Sequence, residues 1–181
     1  MNIAIEILLE NKIGLQEIQD LCKSIDDNDS DIEFVMRYVM QNKNRRSQKN
    51  ASWLLFHVGK QMPQVLRPYL NYIIDIIIHN NNDTILRNLL SVAHDLFINI
   101  GKDEGRIFMT LLDRCLYITT SDLFRPGTRC NAITLLYDIC TLDNRLTAEV
   151  LSTTSKVIPN CSAGLSSRIS KTTHMLKQLS T

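Results

Sequence analysis

An all-α fold, a right-handed superhelix of stacked helix pairs, is what this 181-residue sequence predicts, and three observations predict it. Apolar residues recur at three- and four-residue spacing almost throughout, as in Ile32, Val35, Met36, Val39 and Met40, which is the period of a helix. Six glycines and four prolines leave little turn material for a many-stranded sheet. A helical segment built around an asparagine also returns along the chain, at Asn50, Asn88 and Asn131, separated by 38 and 43 positions.

Taken in order, breakers divide the chain into helices at about 2–10, 13–25, 31–41, 46–61, 64–79, 84–100, 104–118, 127–141, 143–157 and 165–179. The opening MNIAIEILLE has Glu6 inside its apolar run and no basic residues ahead of it, so it reads as an amphipathic helix rather than a signal peptide. The acidic stretch Asp26-Asp27-Asn28-Asp29-Ser30-Asp31 has the D-x-D-x-D spacing of a calcium loop. Counted from Asp27, however, Ile32 and Tyr38 stand where that loop needs glycine and glutamate. It reads instead as a turn in which Ser30 and Glu33 form a capping box. The β-branched YIIDIIIH at 72–79 suits a strand by composition, but a lone strand between helices would have no partner, and a helix is expected. Asp83 is expected to cap the next helix, Gly101 to end it, and Arg125-Pro126-Gly127 to turn the chain before position 128. Phe108 and Met109 read as core.

Bulk properties narrow the function classes. Twenty basic and nineteen acidic residues nearly cancel to a formal +1, so there is no global field to steer a polyanion. Cys22, Cys115, Cys130, Cys140 and Cys161 are odd in number and never spaced C-x-x-C, which points to a reducing, cytoplasmic setting without disulfides or a zinc knuckle. The apolar run at 72–78 is far shorter than the ~20 residues needed to cross a bilayer, and no membrane segment is expected. No glycine-rich phosphate loop, G-x-S-x-G elbow or supported Cys-His pairing is present, so no enzyme activity, cofactor or metal is expected.

Three segments align on their asparagines, K49-N-A-S-W-L-L-F-H-V, R87-N-L-L-S-V-A-H-D-L and C130-N-A-I-T-L-L-Y-D-I, with a fainter copy, SSRISKTTHML, after them. One helix pair cannot cover its own apolar face, so successive pairs stack and bury a continuous core. A single domain over 1–181 follows, with capping helices at 1–28 and four helix-pair repeats at 29–181. On these residues the chain resembles the HEAT/armadillo α-solenoids. KNASWLLFHVGKQMP and NCSAGLSSRISK are similar to a family of short bacterial HEAT-like proteins, over a region running from about Arg46 to the end. Some members of that family carry an adenylosuccinate lyase label, but this chain is too short for such an enzyme and lacks the serine-rich signature loop.

At 3.6 residues per turn, positions three and seven beyond each asparagine fall on its face. The first row is Trp53, Ser91 and Thr134, and the second is His57, Asp95 and Asp138. In a stacked solenoid the second helices line the concave wall, so these rows are expected to form a polar stripe. The asparagines resemble the ladder with which armadillo arrays hold extended peptides, although Trp53 follows its asparagine where the armadillo pattern has tryptophan before it. The same amides could instead bond between neighbouring helices and set repeat register. His57, Asp95 and Asp138, with His94 adjacent, invite a metal or acid–base reading, but equivalent positions in neighbouring repeats lie roughly 10 Å apart, too far for shared ligation.

The expected function is a non-enzymatic scaffold for a protein or peptide. Asn50, Asn88 and Asn131 would bond the partner, Trp53 would anchor it beside His57, Asp95 and Asp138, and Arg46, Arg87 and Arg129 would meet acidic groups. The alternative is nucleic-acid binding, as in the HEAT-like DNA alkylation-repair glycosylases. Lys43, Arg45, Arg46 and Lys49 cluster at the start of one second helix, and Arg87, Arg129 and Arg168 begin later ones, where phosphate could be held.

Overall fold

The computed structural model describes residues 3–25, 29–41, 43–97, 105–157 and 161–179, and no strand occurs among them. The helices are α1 (Ile3–Glu10), α2 (Leu15–Ser24), α3 (Asp29–Gln41), α4 (Arg45–Gln61), α5 (Pro63–Leu66), α6 (Leu70–His79), α7 (Asp83–Phe97), α8 (Gly105–Thr120), α9 (Pro126–Leu142), α10 (Thr147–Ser155) and α11 (Ala163–Leu179). Gly101 and residues 26–28 of the acidic stretch lie outside the described residues.

The helices pack in two layers. Helices α4, α7, α9 and α11 pack side by side in chain order, and each also packs against the helix that opens its pair: α3, α6, α8 and α10 in turn. Helices α6, α8 and α10 are themselves neighbours, while α1 and α2 both rest on α4. This is an all-α solenoid of stacked helix pairs, in which each pair is covered by the next. Helices α4 and α7 pack together, and Leu54, Leu55 and Val58 of α4 and Leu89 and Val92 of α7 are all fully buried.

One close approach sets the α4–α7 spacing. A Cβ at Gly59 would come within 3.3 Å of both Val92 methyl groups, so the smallest residue stands where the two helices press together. Further along, Arg114 of α8 reaches back to the end of α6. Its Nε donates to the Ile77 carbonyl at 3.0 Å and its Nη2 to the Asn80 carbonyl, so one repeat caps the C-terminal carbonyls of the previous one.

Several local expectations need correcting. The helix foreseen at 64–79 is broken: Pro63 opens the short α5, a 3₁₀ turn follows over Arg67–Tyr69, and α6 starts at Leu70. Pro68 cannot donate to an i−4 carbonyl, so the chain tightens there instead of continuing. The isoleucine run beyond it is helical, with Ile73, Ile74, Ile76 and Ile77 buried. The segment at 143–157 likewise starts with a 3₁₀ turn, Asn144–Leu146, before α10.

Ser30 sits inside the first turn of α3 rather than capping it. Asp83 is the first residue of α7, and the cap is Asn82, whose Oδ1 accepts from the Thr84 N–H at 3.1 Å. Asp83 Oδ1 accepts the Arg125 N–H at 2.8 Å instead, tying α7 to the turn before α9. Pro126 occupies the first turn of α9, where a missing N–H costs nothing. Phe108 is buried, whereas Met109 is 45% exposed.

Candidate functional site

The second helices carry the residues singled out above, and the asparagines come first. Asn50 Nδ2 donates to the Leu9 and Asn11 carbonyls, both at 2.9 Å, and so holds the end of α1 against α4. Asn88, 6% exposed, donates to Ser52 Oγ of α4 at 3.1 Å. Asn131 donates to the Arg87 carbonyl of α7 at 2.8 Å. Each amide thus reaches to the element stacked before it. Asn50 has both its N–H groups engaged, which leaves none to donate to a ligand backbone.

Beside the asparagines, Trp53 is half-buried against the core, with its ring centroid 5.8 Å from that of His57. Thr134 Oγ1 donates back to the Cys130 carbonyl at 3.0 Å, a bond within its own helix. His57 also meets Phe56 edge-on at 5.3 Å, and its Nε2 is buried with no hydrogen-bond partner. Burial holds the His57 imidazole below the ordinary histidine range, so the ring is neutral near pH 7.

The row beyond joins the helices electrostatically. Lys60 of α4 approaches both carboxylate oxygens of Asp95 on α7, at 2.8 and 2.7 Å. His94 of α7 meets Asp138 of α9 with Nδ1 2.6 Å from Oδ2. The bond to Asp138 holds the His94 imidazole above its ordinary value against the opposing effect of its own burial. Asp138, 8% exposed, is itself raised by burial, which its bond to His94 opposes. Two pairs, Lys60–Asp95 and His94–Asp138, which meet at adjacent residues of α7, therefore link three helices.

Equivalent positions do not meet across the repeats; the contact runs diagonally, from residue six beyond one asparagine to residue seven beyond the next. Lys60 escaped the sequence reading because it lies two residues past the aligned segment, although its spacing of three from His57 and seven from Trp53 puts it on their face.

Arg129 requires a correction. It is 7% exposed, its Nε donates to the Thr119 carbonyl at 2.9 Å, and its Nη1 pairs with Asp122 at 2.8 Å. It caps the end of α8 and is closed to a partner. Arg46 and Arg87 are exposed.

Two of the cysteines are held in the thiol form by burial. Cys115 is fully buried and its thiol is pushed far up by desolvation, and Cys140 is raised to about 11 for the same reason. Among the described residues no three His, Cys, Asp or Glu side chains come together as a metal site, and no helix is long and apolar enough to cross a membrane.

No curated protein and no solved structure matches the chain. The family comparison agrees with a repeat array of paired helices. The HEAT repeat domain matches residues 5–176, nearly the whole length, and the chain belongs to that family.

Proposed function

We propose that the protein is a non-enzymatic scaffold that binds a protein or peptide along the wall formed by α4, α7 and α9. A HEAT repeat domain is a repeat scaffold of the kind that commonly mediates protein interactions. The observation that carries the reading further is the strip formed by Trp53, His57, Lys60, Asp95 and His94, the last held by the buried Asp138, in which an aromatic anchor stands beside charged groups already held in place. A partner meeting this strip finds side chains whose rotamers are fixed by their mutual bonds, so little ordering entropy is lost on association. In this reading Asn50, Asn88 and Asn131 support the wall from behind, Arg46 and Arg87 flank it, and Arg129 takes no part.

The lone tryptophan supplies the test, because its emission reports on the strip directly. A partner recovered from native lysate and titrated back should shift Trp53 emission. It should also bind the double variant Lys60→Ala with Asp95→Ala at least about tenfold more weakly, the loss of roughly 1.4 kcal/mol expected for a central contact. Unchanged affinity in a variant of normal helicity, with no change in emission, refutes the wall as the binding surface.

A further inference from the structure

A different edge of the same layer carries a concentration of unpaired positive charge. Arg45 and Lys49 of α4, Arg87 of α7 and Arg125 ahead of α9 are all exposed, and none forms an ion pair among the described residues. The stacking brings them together. Arg45, Lys49 and Arg125 line one cavity of about 440 Å³, together with Gln48, Asn81 and Thr84. The Arg87 stem lies over the first turn of α9, where a Cβ on Gly127 would be 3.6 Å from its Cδ. Among the described residues only Asp83 brings a carboxylate into that cavity, and its Oδ1 already accepts the Arg125 backbone N–H.

This charge is not placed for stability. Arg45 and Arg46 stand in the first turn of α4, which has no acidic residue there, and a cation at that end opposes the helix dipole. Arg125 precedes α9, whose first turn also lacks an acid. Several cations gathered at helix starts that disfavour them, against the single carboxylate of Asp83, call for an external anion.

We propose that this edge docks an acidic segment of a polypeptide partner. Its carboxylates would take the forked guanidinium groups of Arg45, Arg87 and Arg125 and the ammonium of Lys49, while the amides of Gln48 and Asn81 would meet its backbone. A peptide fits better than a nucleic acid because, among the described residues, no aromatic side chain lines the cavity, so there is no platform on which bases could stack. The inference adds a second surface to the scaffold and does not depend on the strip around Trp53.

The test is fluorescence anisotropy with the full-length protein and a labelled short poly-glutamate peptide, alongside a single-stranded oligodeoxynucleotide of equal charge. The peptide should bind with an affinity that falls as salt rises. The triple variant Arg45→Ala, Lys49→Ala and Arg125→Ala should weaken it by about tenfold or more. Replacing the exposed Lys171 and Lys177 of α11 by alanine should change it less than about twofold, as expected for charges outside the contact. Lys60→Ala should leave it intact, which separates this surface from the strip. All the altered side chains are exposed, and melting curves confirm that each variant folds. No binding of the peptide, an equal loss in the α11 control, or tighter binding of the oligonucleotide than of the peptide would overturn the proposal.

Discussion

Asn50, Asn88 and Asn131 look alike in sequence and do the same work by different bonds: two backbone carbonyls for the first, a serine hydroxyl for the second, one carbonyl for the third. Their recurrence was legible in the sequence; their acceptors were not, because an acceptor depends on how far one helix is shifted against the next. The histidines differ more sharply. His94 is held above the ordinary value near 6.5 by Asp138, so its contribution to stability is complete below about pH 6.5 and is lost as the pH rises through the folded value. His57 is held below it by burial, so its contribution is present above about pH 6.5 and is lost as the pH falls. Urea denaturation of the parent and of His94→Gln checks the sign. The parent should lead by about 1 kcal/mol near pH 5.5 and by clearly less near pH 8. A difference that stays constant or grows with pH would mean that Asp138 does not hold the charged imidazole.

At the scale of helices, the 3.6-residue period located nearly every element, because burial of one face imposes that period directly. The misses each have a local cause. Asn82 rather than Asp83 caps α7, since Asp83 is drawn off by the Arg125 N–H forty-two residues away. Pro68 breaks the helix that the isoleucine run would otherwise extend. Arg129 looks like a solvated charge at a helix start, yet it is buried because the end of α8 offers it a carbonyl. The α4–α7 contact is the tightest test of packing at this scale. Gly59→Val adds two methyl groups where even a Cβ would sit 3.3 Å from Val92, and it should cost about 1–3 kcal/mol in urea denaturation. A neutral or stabilising effect would show that α4 and α7 are free to move apart.

For the whole molecule, membership of the HEAT repeat family and the order of packing describe one object, a stack in which each pair contacts its neighbours. Such a stack has long edges, and this one carries a diagonal strip of paired charge on its wall and unpaired cations along one margin. Most residues of the strip, Lys60 excepted, and the basic cluster at the start of α4 could be read from the sequence. The division between them could not, because pairing within the strip and its absence at the margin arise only when three helices are set side by side. The central claim is that the repeated asparagines are bonds between repeats. Asn88 and Ser52 allow its most direct measurement, since both partners of that bond are side chains. A double-mutant cycle of Asn88→Ala and Ser52→Ala, followed by urea denaturation, should give a coupling energy of about 0.5–1.5 kcal/mol. Strict additivity of the two substitutions would contradict the account.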